Sequence, residues 1–191
     1  MGKNGKKYPN SKTLPPDEDY VAMLYYKYIN DLYSWGLTFT SQREIVKDCI
    51  QDLFVWLLKH REKLDEIDNV HVYLFTSFRN NLLKLLQEKS LDVADSDFEK
   101  AFAKKVLDPS LNIVQRIEKE EMAYSRKKRI KQILRQLSRR QERIIYLRFY
   151  VKMDYDEICE VLSMNYQSAR TLIYRTIQKM RELYGEIRMI Q

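Results

Sequence analysis

Residues 137–183 read LSRRQERIIYLRFYVKMDYDEICEVLSMNYQSARTLIYRTIQKMREL, and the punctuation of this stretch decides the fold. Ser138-Arg139-Arg140-Gln141 and Asp154-Tyr155-Asp156-Glu157 both have the capping-box pattern. A short polar side chain caps free backbone N–H groups at a helix start, and the Gln or Glu three residues on reaches back. Asn165 stands where it can cap a third helix. Helices are therefore predicted over about 138–150, 155–162 and 166–186. The connections Val151–Met153 and Ser163–Asn165 are so short that neighbouring helices must turn sharply. Two helices on such a turn, the second long and basic, describe a helix-turn-helix.

A wheel of 100° per residue sorts the last helix into two sides. Ala169, Leu172, Ile173, Thr176, Ile177 and Met180 fall together and can pack on Tyr155, Ile158, Cys159 and Leu162. Ser168 lies near the helix start, and Arg170, Thr171, Tyr174, Arg175 and Gln178 collect on the opposite side. Arg can read guanine edges or phosphates, Gln can pair with adenine, and Tyr and Thr can reach phosphates or a thymine methyl. A solvated helix usually interleaves Glu with Lys, yet residues 165–181 contain no acidic residue. Arg139, Arg140, Arg143 and Arg148 add positive charge upstream. From residue 126 onward there are 16 Lys/Arg against 7 Asp/Glu, so the basic character of the chain is concentrated there. A polyanion is the partner that such a surface fits.

Outward from this stretch, helical periodicity continues. Helices are expected at 18–36, 42–60, 68–88 and 112–136. The pattern breaks between about 89 and 111, where SLDVADSDFEK is acidic and Pro109 follows; one short helix near 97–106 is expected. The fold class is all-α: two small helical domains joined by a linker, with a helix-turn-helix in the C-terminal one. The expected limits are 18–90, 91–117 and 118–188.

Two further helices carry unusual outer faces. Over 45–58, the buried stripe is Ile45, Val46, Cys49, Ile50, Leu53, Phe54, Trp56 and Leu57. The remaining arc holds Lys47, Asp48, Gln51, Asp52, Val55 and Leu58. Apolar residues beside two carboxylates fit a protein-binding patch, or a face covered by a third helix. Over 72–88, Leu74, Phe75, Phe78, Leu82, Leu85 and Leu86 form the core side. Tyr73, Thr76, Ser77, Asn80, Lys84 and Gln87 form the outer arc. Aromatic rings, amides and cations on one face suit unpaired bases and suit plain solvation too.

Several function classes are excluded. Glycine occurs only at positions 2, 5, 36 and 185. Phosphate-cradling loops need glycine for close backbone approach, so P-loop and Rossmann chemistry have no footing. With His60 and His71 the only histidines, no nucleophile–base–acid set or metal-ligand spacing can be assembled. Asp48 and Asp52 stand one turn apart with no metal ligand beside them. No catalytic residue, metal or cofactor is assigned, and the chain is expected to act by binding. Cys49 and Cys159 sit in apolar helical patterns and read as buried reduced thiols of a cytosolic protein. Met1–Pro16 is basic and polar without an apolar core, unlike a secretory signal, and reads as a disordered tail. No apolar run is long enough to cross a membrane.

Taken together, Val46–Leu86 (VKDCIQDLFVWLLKHREKLDEIDNVHVYLFTSFRNNLLKLL) resembles the core-binding, promoter-melting domain of extracytoplasmic-function sigma factors. Tyr20–Leu37 resembles the first helix of that domain, and Leu137–Leu183 resembles the promoter-reading domain of the same family. The resemblance implies that region 2 occupies 18–90 and region 4 occupies 118–188. It implies that Asp48, Gln51, Asp52 and Phe54, with Val55, dock on the largest-subunit clamp of core RNA polymerase. It places the loop around Asp65–Val70, including Asp68 and Asn69, and the following helix with Tyr73, Ser77, Asn80 and Lys84 at the −10 element. Arg79-Asn80 aligns with the Arg-Asn pair of the family; Arg79 falls toward the core side, where a helix carboxylate could hold it. Ser168, Arg170, Thr171, Tyr174, Arg175 and Gln178 would meet the −35 element. Promoter DNA, core polymerase and an anti-sigma factor are the implied partners. The helix-turn often reads Gly-hydrophobic-small in this family; here it is Ser163-Met164-Asn165. Its backbone must avoid positive φ or place it at Asn165. A helix-turn-helix regulator that binds duplex DNA as a dimer, without polymerase, is the competing reading; it leaves the 45–58 face unexplained. An enzyme acting on nucleic acid is the other, and it would need a carboxylate cluster that the chain lacks.

Overall fold

The computed structural model describes residues 18–88 and 130–189. The tail, the linker, the short helix expected at 97–106 and most of the helix expected at 112–136 lie outside these residues. Among the described residues there are helices and no strand. α1 spans Glu18–Gly36, α2 Arg43–Lys59, and α3 Val70–Glu88, with a 3-10 segment Arg61–Glu66 leading into α3. After a helical stretch at 130–134 come α4 (Arg139–Ile145), α5 (Tyr155–Leu162) and α6 (Tyr166–Met189). The helix expected over 138–150 holds to Ile145 and then widens into a π-turn, Tyr146–Tyr150.

α1, α2 and α3 pack around Leu32, Trp35, Val46, Cys49, Leu57, Phe75, Phe78 and Leu82, all fully buried. Aromatic rings form the centre. Trp35 lies 5.1 Å from Phe39, 5.3 Å from Phe75 and 6.2 Å from Phe78, in edge or tilted geometry. α4, α5 and α6 enclose a second set: Ile144, Leu147, Met153, Ile158, Val161, Ala169 and Ile173. Both capping boxes are present: Ser138 accepts from the Gln141 backbone N–H and Asp154 from that of Glu157, and each Gln or Glu reciprocates. Lys179 of α6 donates to the Gln136 carbonyl and ties the long helix to the segment before α4.

The two halves pack against each other, and their apolar interiors form one continuous cluster. α5 lies on α3. The Arg143 guanidinium sits 3.8 Å from the centre of the Phe39 ring and donates to the Thr38 carbonyl at 3.2 Å. The Tyr146 hydroxyl donates to the Asp31 carbonyl at 3.2 Å, and Asn69 Nδ2 donates to Glu157 Oε1 at 3.0 Å. His71 of α3 is buried beside this seam, stacked 5.2 Å from Tyr28. Burial holds its pKa below the usual imidazole value against the opposing pull of Glu157.

Cys49 is buried, its Sγ 3.6 Å from the Phe78 carbonyl, and burial pushes its thiol pKa up to about 12. Cys159, expected to be buried, is only half-buried, because it stands at the edge of the α5–α6 contact. Trp56, expected on the core stripe, is also half-buried.

Gly36 closes α1 where the next helix passes. A Cβ there would meet Val46 Cγ1 at 2.6 Å and Phe78 Cζ at 2.8 Å. Alanine normally strengthens a helix relative to glycine, but here the contact reverses the sign. Gly36→Ala should lower stability by about 1–3 kcal/mol through overpacking. Gly185→Ala, with nothing within 4 Å of the new methyl, should raise it by roughly 0.5–1 kcal/mol. Thermal unfolding of the two variants against the parent measures both.

Candidate nucleic-acid interface

The turn between α5 and α6 sets the angle of the long helix. Ser163 ends α5 in the left-handed region, at φ 52° and ψ 52°, and its N–H and that of Met164 return to α5 carbonyls. The turn therefore does not avoid positive φ: it falls on Ser163, at the start of the turn, and not on Asn165. Asn165 instead caps α6: its Oδ1 accepts from the Ser168 N–H at 2.7 Å. A serine in this conformation brings Cβ against the following carbonyl, a clash that glycine lacks.

α6 is anchored by Ala169, Ile173 and Thr176, all buried, and the Thr176 hydroxyl donates to the Leu172 carbonyl. Leu172, Ile177 and Met180 are half-buried on the same side. Arg170, Tyr174 and Arg175 are exposed, while Ser168, Thr171 and Gln178 are half-buried at the margins. Tyr174 is 63% exposed, and Gln178 Nε2 donates to its hydroxyl at 3.1 Å. An amide and a phenol are thus held side by side next to two exposed guanidinium groups. The upstream arginines differ. Arg148 donates to the Met153 carbonyl and lies over the Tyr155 ring, bracing the loop before α5. Arg139 pairs with buried Glu142 at 3.1 Å, Arg143 is in the interdomain seam, and Arg140 is exposed.

The outer face of α2 is open. Asp48, Gln51 and Asp52 are exposed, and Val55 and Leu58 are each 40% exposed, so no third helix among the described residues covers them. Phe54 is 4% exposed and packs edge-on to Tyr25 at 5.1 Å. It cannot present its ring outward; it forms the floor of a groove between α1 and α2. This apolar groove has a volume of about 660 Å³ and is bordered by Gln51, Val55 and Leu58 on one side and Tyr25, Tyr26 and Ile29 on the other. Tyr26 is 77% exposed. These α1 residues form a second apolar stripe, at positions 22, 25, 26, 29 and 33, which the periodicity of α1 alone could have separated from its core stripe.

On α3, Asn80 and Lys84 are exposed and Tyr73 and Ser77 half-buried, all on one arc. Lys84 is 3.8 Å from Glu88 in a solvated pair. Arg79 is half-buried; rather than meeting a helix carboxylate, it donates to Asn80 Oδ1 at 3.2 Å, which orients the exposed amide. Asp68 is exposed. Asn69, grouped with it from sequence, is held in the structure at both ends of its amide. Its Oδ1 accepts from the Val72 N–H and starts α3, while its Nδ2 meets Glu157. Trp56 and His60, not singled out from sequence, stack at 4.4 Å next to Tyr73. Their spacing of four residues on an aromatic-rich helix was the available signal.

Residues 24–91 match Sigma-70 region 2, and residues 127–180 match Sigma-70, region 4. The chain is a sigma factor of the Sigma-70 family. The family is one of transcription initiation factors. The sigma factor is similar in fold to CnrH, solved in complex with the cytosolic domain of CnrY. The two share 18% identity over 89% of this chain and 90% of that one, with a TM-score of 0.53. It is likewise similar to the sigma factor RpoE of Bartonella quintana, solved with the anti-sigma factor NepR. There the identity is 18% over 88% of this chain and 98% of that one, with a TM-score of 0.54. No curated protein sequence matches this one. Among the described residues of the sigma factor, no helix is long and apolar enough to cross a membrane, and no group of three or more potential ligands could hold a metal ion.

Because Ser163 carries the left-handed turn, Ser163→Gly should stabilise the C-terminal half by roughly 1 kcal/mol. A rise in its unfolding midpoint, with the helix content unchanged, is the expected result.

Proposed function

We propose that this sigma factor docks on the largest-subunit clamp of core RNA polymerase through Asp48, Gln51, Asp52 and Val55, over the floor supplied by Phe54. It then directs the enzyme to promoters. Helix α6 enters the major groove at the −35 element, where Arg170, Arg175 and Gln178 reach base edges or phosphates and Ser168, Thr171 and Tyr174 contact backbone or methyl groups. The stripe Tyr73, Ser77, Asn80 and Lys84, with Asp68 in the loop before α3, holds unpaired bases of the −10 element. Asn69 contributes by fixing the start of that helix. Favouring one strand conformation shifts the duplex toward the melted state, so no bond is made or broken by the sigma factor itself.

The observation that carries this reading is the pairing of two open faces of opposite character: acidic and apolar on α2, cationic and acid-free on α6. A dimeric regulator would need only the second. We take 18–90 as the polymerase-binding and −10-binding unit, 91–117 as the linker and 118–188 as the −35-binding unit, acting in the cytoplasm. CnrH seen with CnrY and RpoE seen with NepR support an anti-sigma factor as a third partner.

Transcription with purified core polymerase tests the reading. Asp48→Arg combined with Asp52→Arg should cut capture of core polymerase at least tenfold by reversing the rim charge, while leaving binding to −35 duplex within about twofold. Unchanged capture would defeat the sigma reading and favour the dimeric regulator. Arg170→Ala or Arg175→Ala should do the converse, each costing about 1–3 kcal/mol of DNA discrimination while sparing polymerase capture.

A further inference from the structure

We infer that Tyr174 and Gln178 together make the −35 reading selective for adenine at one base pair. The inference rests on the sigma reading above and deepens it by naming the base that this part of α6 takes. The two residues stand one helical turn apart, so their side chains are neighbours on the surface of α6. Gln178 Nε2 donates to the Tyr174 hydroxyl at 3.1 Å. The phenol is exposed and the amide half-buried beside it, so the bonded pair exists before any DNA arrives. The backbone beneath is fixed by buried Ala169, Ile173 and Thr176, the last bonded to the Leu172 carbonyl. Side chains already joined lose less freedom on binding than two free ones would.

The bond decides what the pair can offer. The phenol takes one N–H of the amide. What remains for DNA is an acceptor, Oε1, and the donors beside it, the second amide N–H and the phenol O–H. Phosphates present only acceptors, so an outward amide oxygen suits a base edge and not the DNA backbone. In the major groove guanine presents two acceptors, thymine an acceptor and a methyl, and cytosine a single donor. Adenine is the base that carries an acceptor, N7, and a donor, the N6 amino group, on one edge. It alone matches a donor and an acceptor held side by side. On guanine or thymine the amide oxygen would face an acceptor or a methyl, and a polar group desolvated without a partner makes discrimination steep. Arg170 and Arg175 cannot take this role, because a guanidinium has no acceptor. Residues 165–181 contain no carboxylate, so no acidic side chain of that stretch competes for the adenine amino group.

The test uses the full chain bound to core polymerase. Promoter fragments are selected from a library with a randomised upstream element, and binding is then measured with each base in turn at every selected position. One position should favour adenine over each other base by at least about fivefold. There, 7-deazaadenine, which lacks the N7 acceptor, and unsubstituted purine, which lacks the N6 amino group, should each bind about fivefold or more weakly than adenine. Gln178→Leu should abolish this preference and change those at other positions by no more than about twofold. Tyr174→Phe, which deletes only the hydroxyl, should weaken the same preference. Unchanged base preferences in either variant would overturn the inference, as would a relaxed position that prefers guanine, cytosine or thymine. Loss spread evenly over all positions in both variants would make the pair a structural brace and overturn it too. In each of these cases the selected upstream element leaves the sigma reading standing. If polymerase carrying the chain selects no upstream sequence at all, the sigma reading fails and the inference falls with it.

Discussion

The aromatic cluster around Trp35 is the contact on which the rest of the molecule depends. Trp35, Phe39, Phe75 and Phe78 meet in edge and tilted geometries, each pair adding about 0.5–1.5 kcal/mol beyond the area it buries. Three consequences follow from one cluster. It fixes the end of α1 against α3, which sets the arc on which Tyr73, Ser77, Asn80 and Lys84 stand. It requires Gly36, because Val46 and Phe78 occupy the space a side chain would need. And it holds Phe39 so that one ring face remains for Arg143. The interior of the first half and the seam with the second are therefore the same structure seen from two sides.

Helices in this chain work with two faces, and that is why so much was legible in advance. The stripe Ile45–Val46–Cys49–Ile50–Leu53–Leu57 is buried as its spacing requires, and Val55 and Leu58 stay open beside Asp48 and Asp52. α6 divides as its wheel predicts, because a helix with an acid-free polar arc on one side and an apolar arc on the other has only one stable orientation. Capping boxes fixed the starts of α4 and α5 because they are satisfied within four residues. Spacing erred at the margins, where Trp56 and Cys159 are only half-buried.

What was not readable depends on contacts far apart in the chain or on which of two neighbours absorbs strain. Periodicity put Phe54 on the core stripe, while family likeness gave it a docking role; the ring is buried, and it is the floor of an open groove. Positive φ at the helix-turn could be foreseen, but not its assignment to Ser163: Asn165 was taken by its bond to the Ser168 N–H. Asn69 looked like a loop amide free to meet a base until α3 needed a cap and Glu157 came within 3.0 Å.

Charge was the least transparent signal. Arg139, Arg140, Arg143 and Arg148 read as one basic surface, yet they serve different ends. Arg148 braces a loop, Arg139 neutralises buried Glu142, and Arg143 lies flat on an aromatic ring. A guanidinium suits that position because it is planar, weakly hydrated and charged across the physiological range; a lysine would supply the charge without the stack. The same properties make arginine a strong phosphate ligand. Net charge counted along the sequence therefore overstates what is open to a polyanion, and the difference resides at positions 139, 143 and 148.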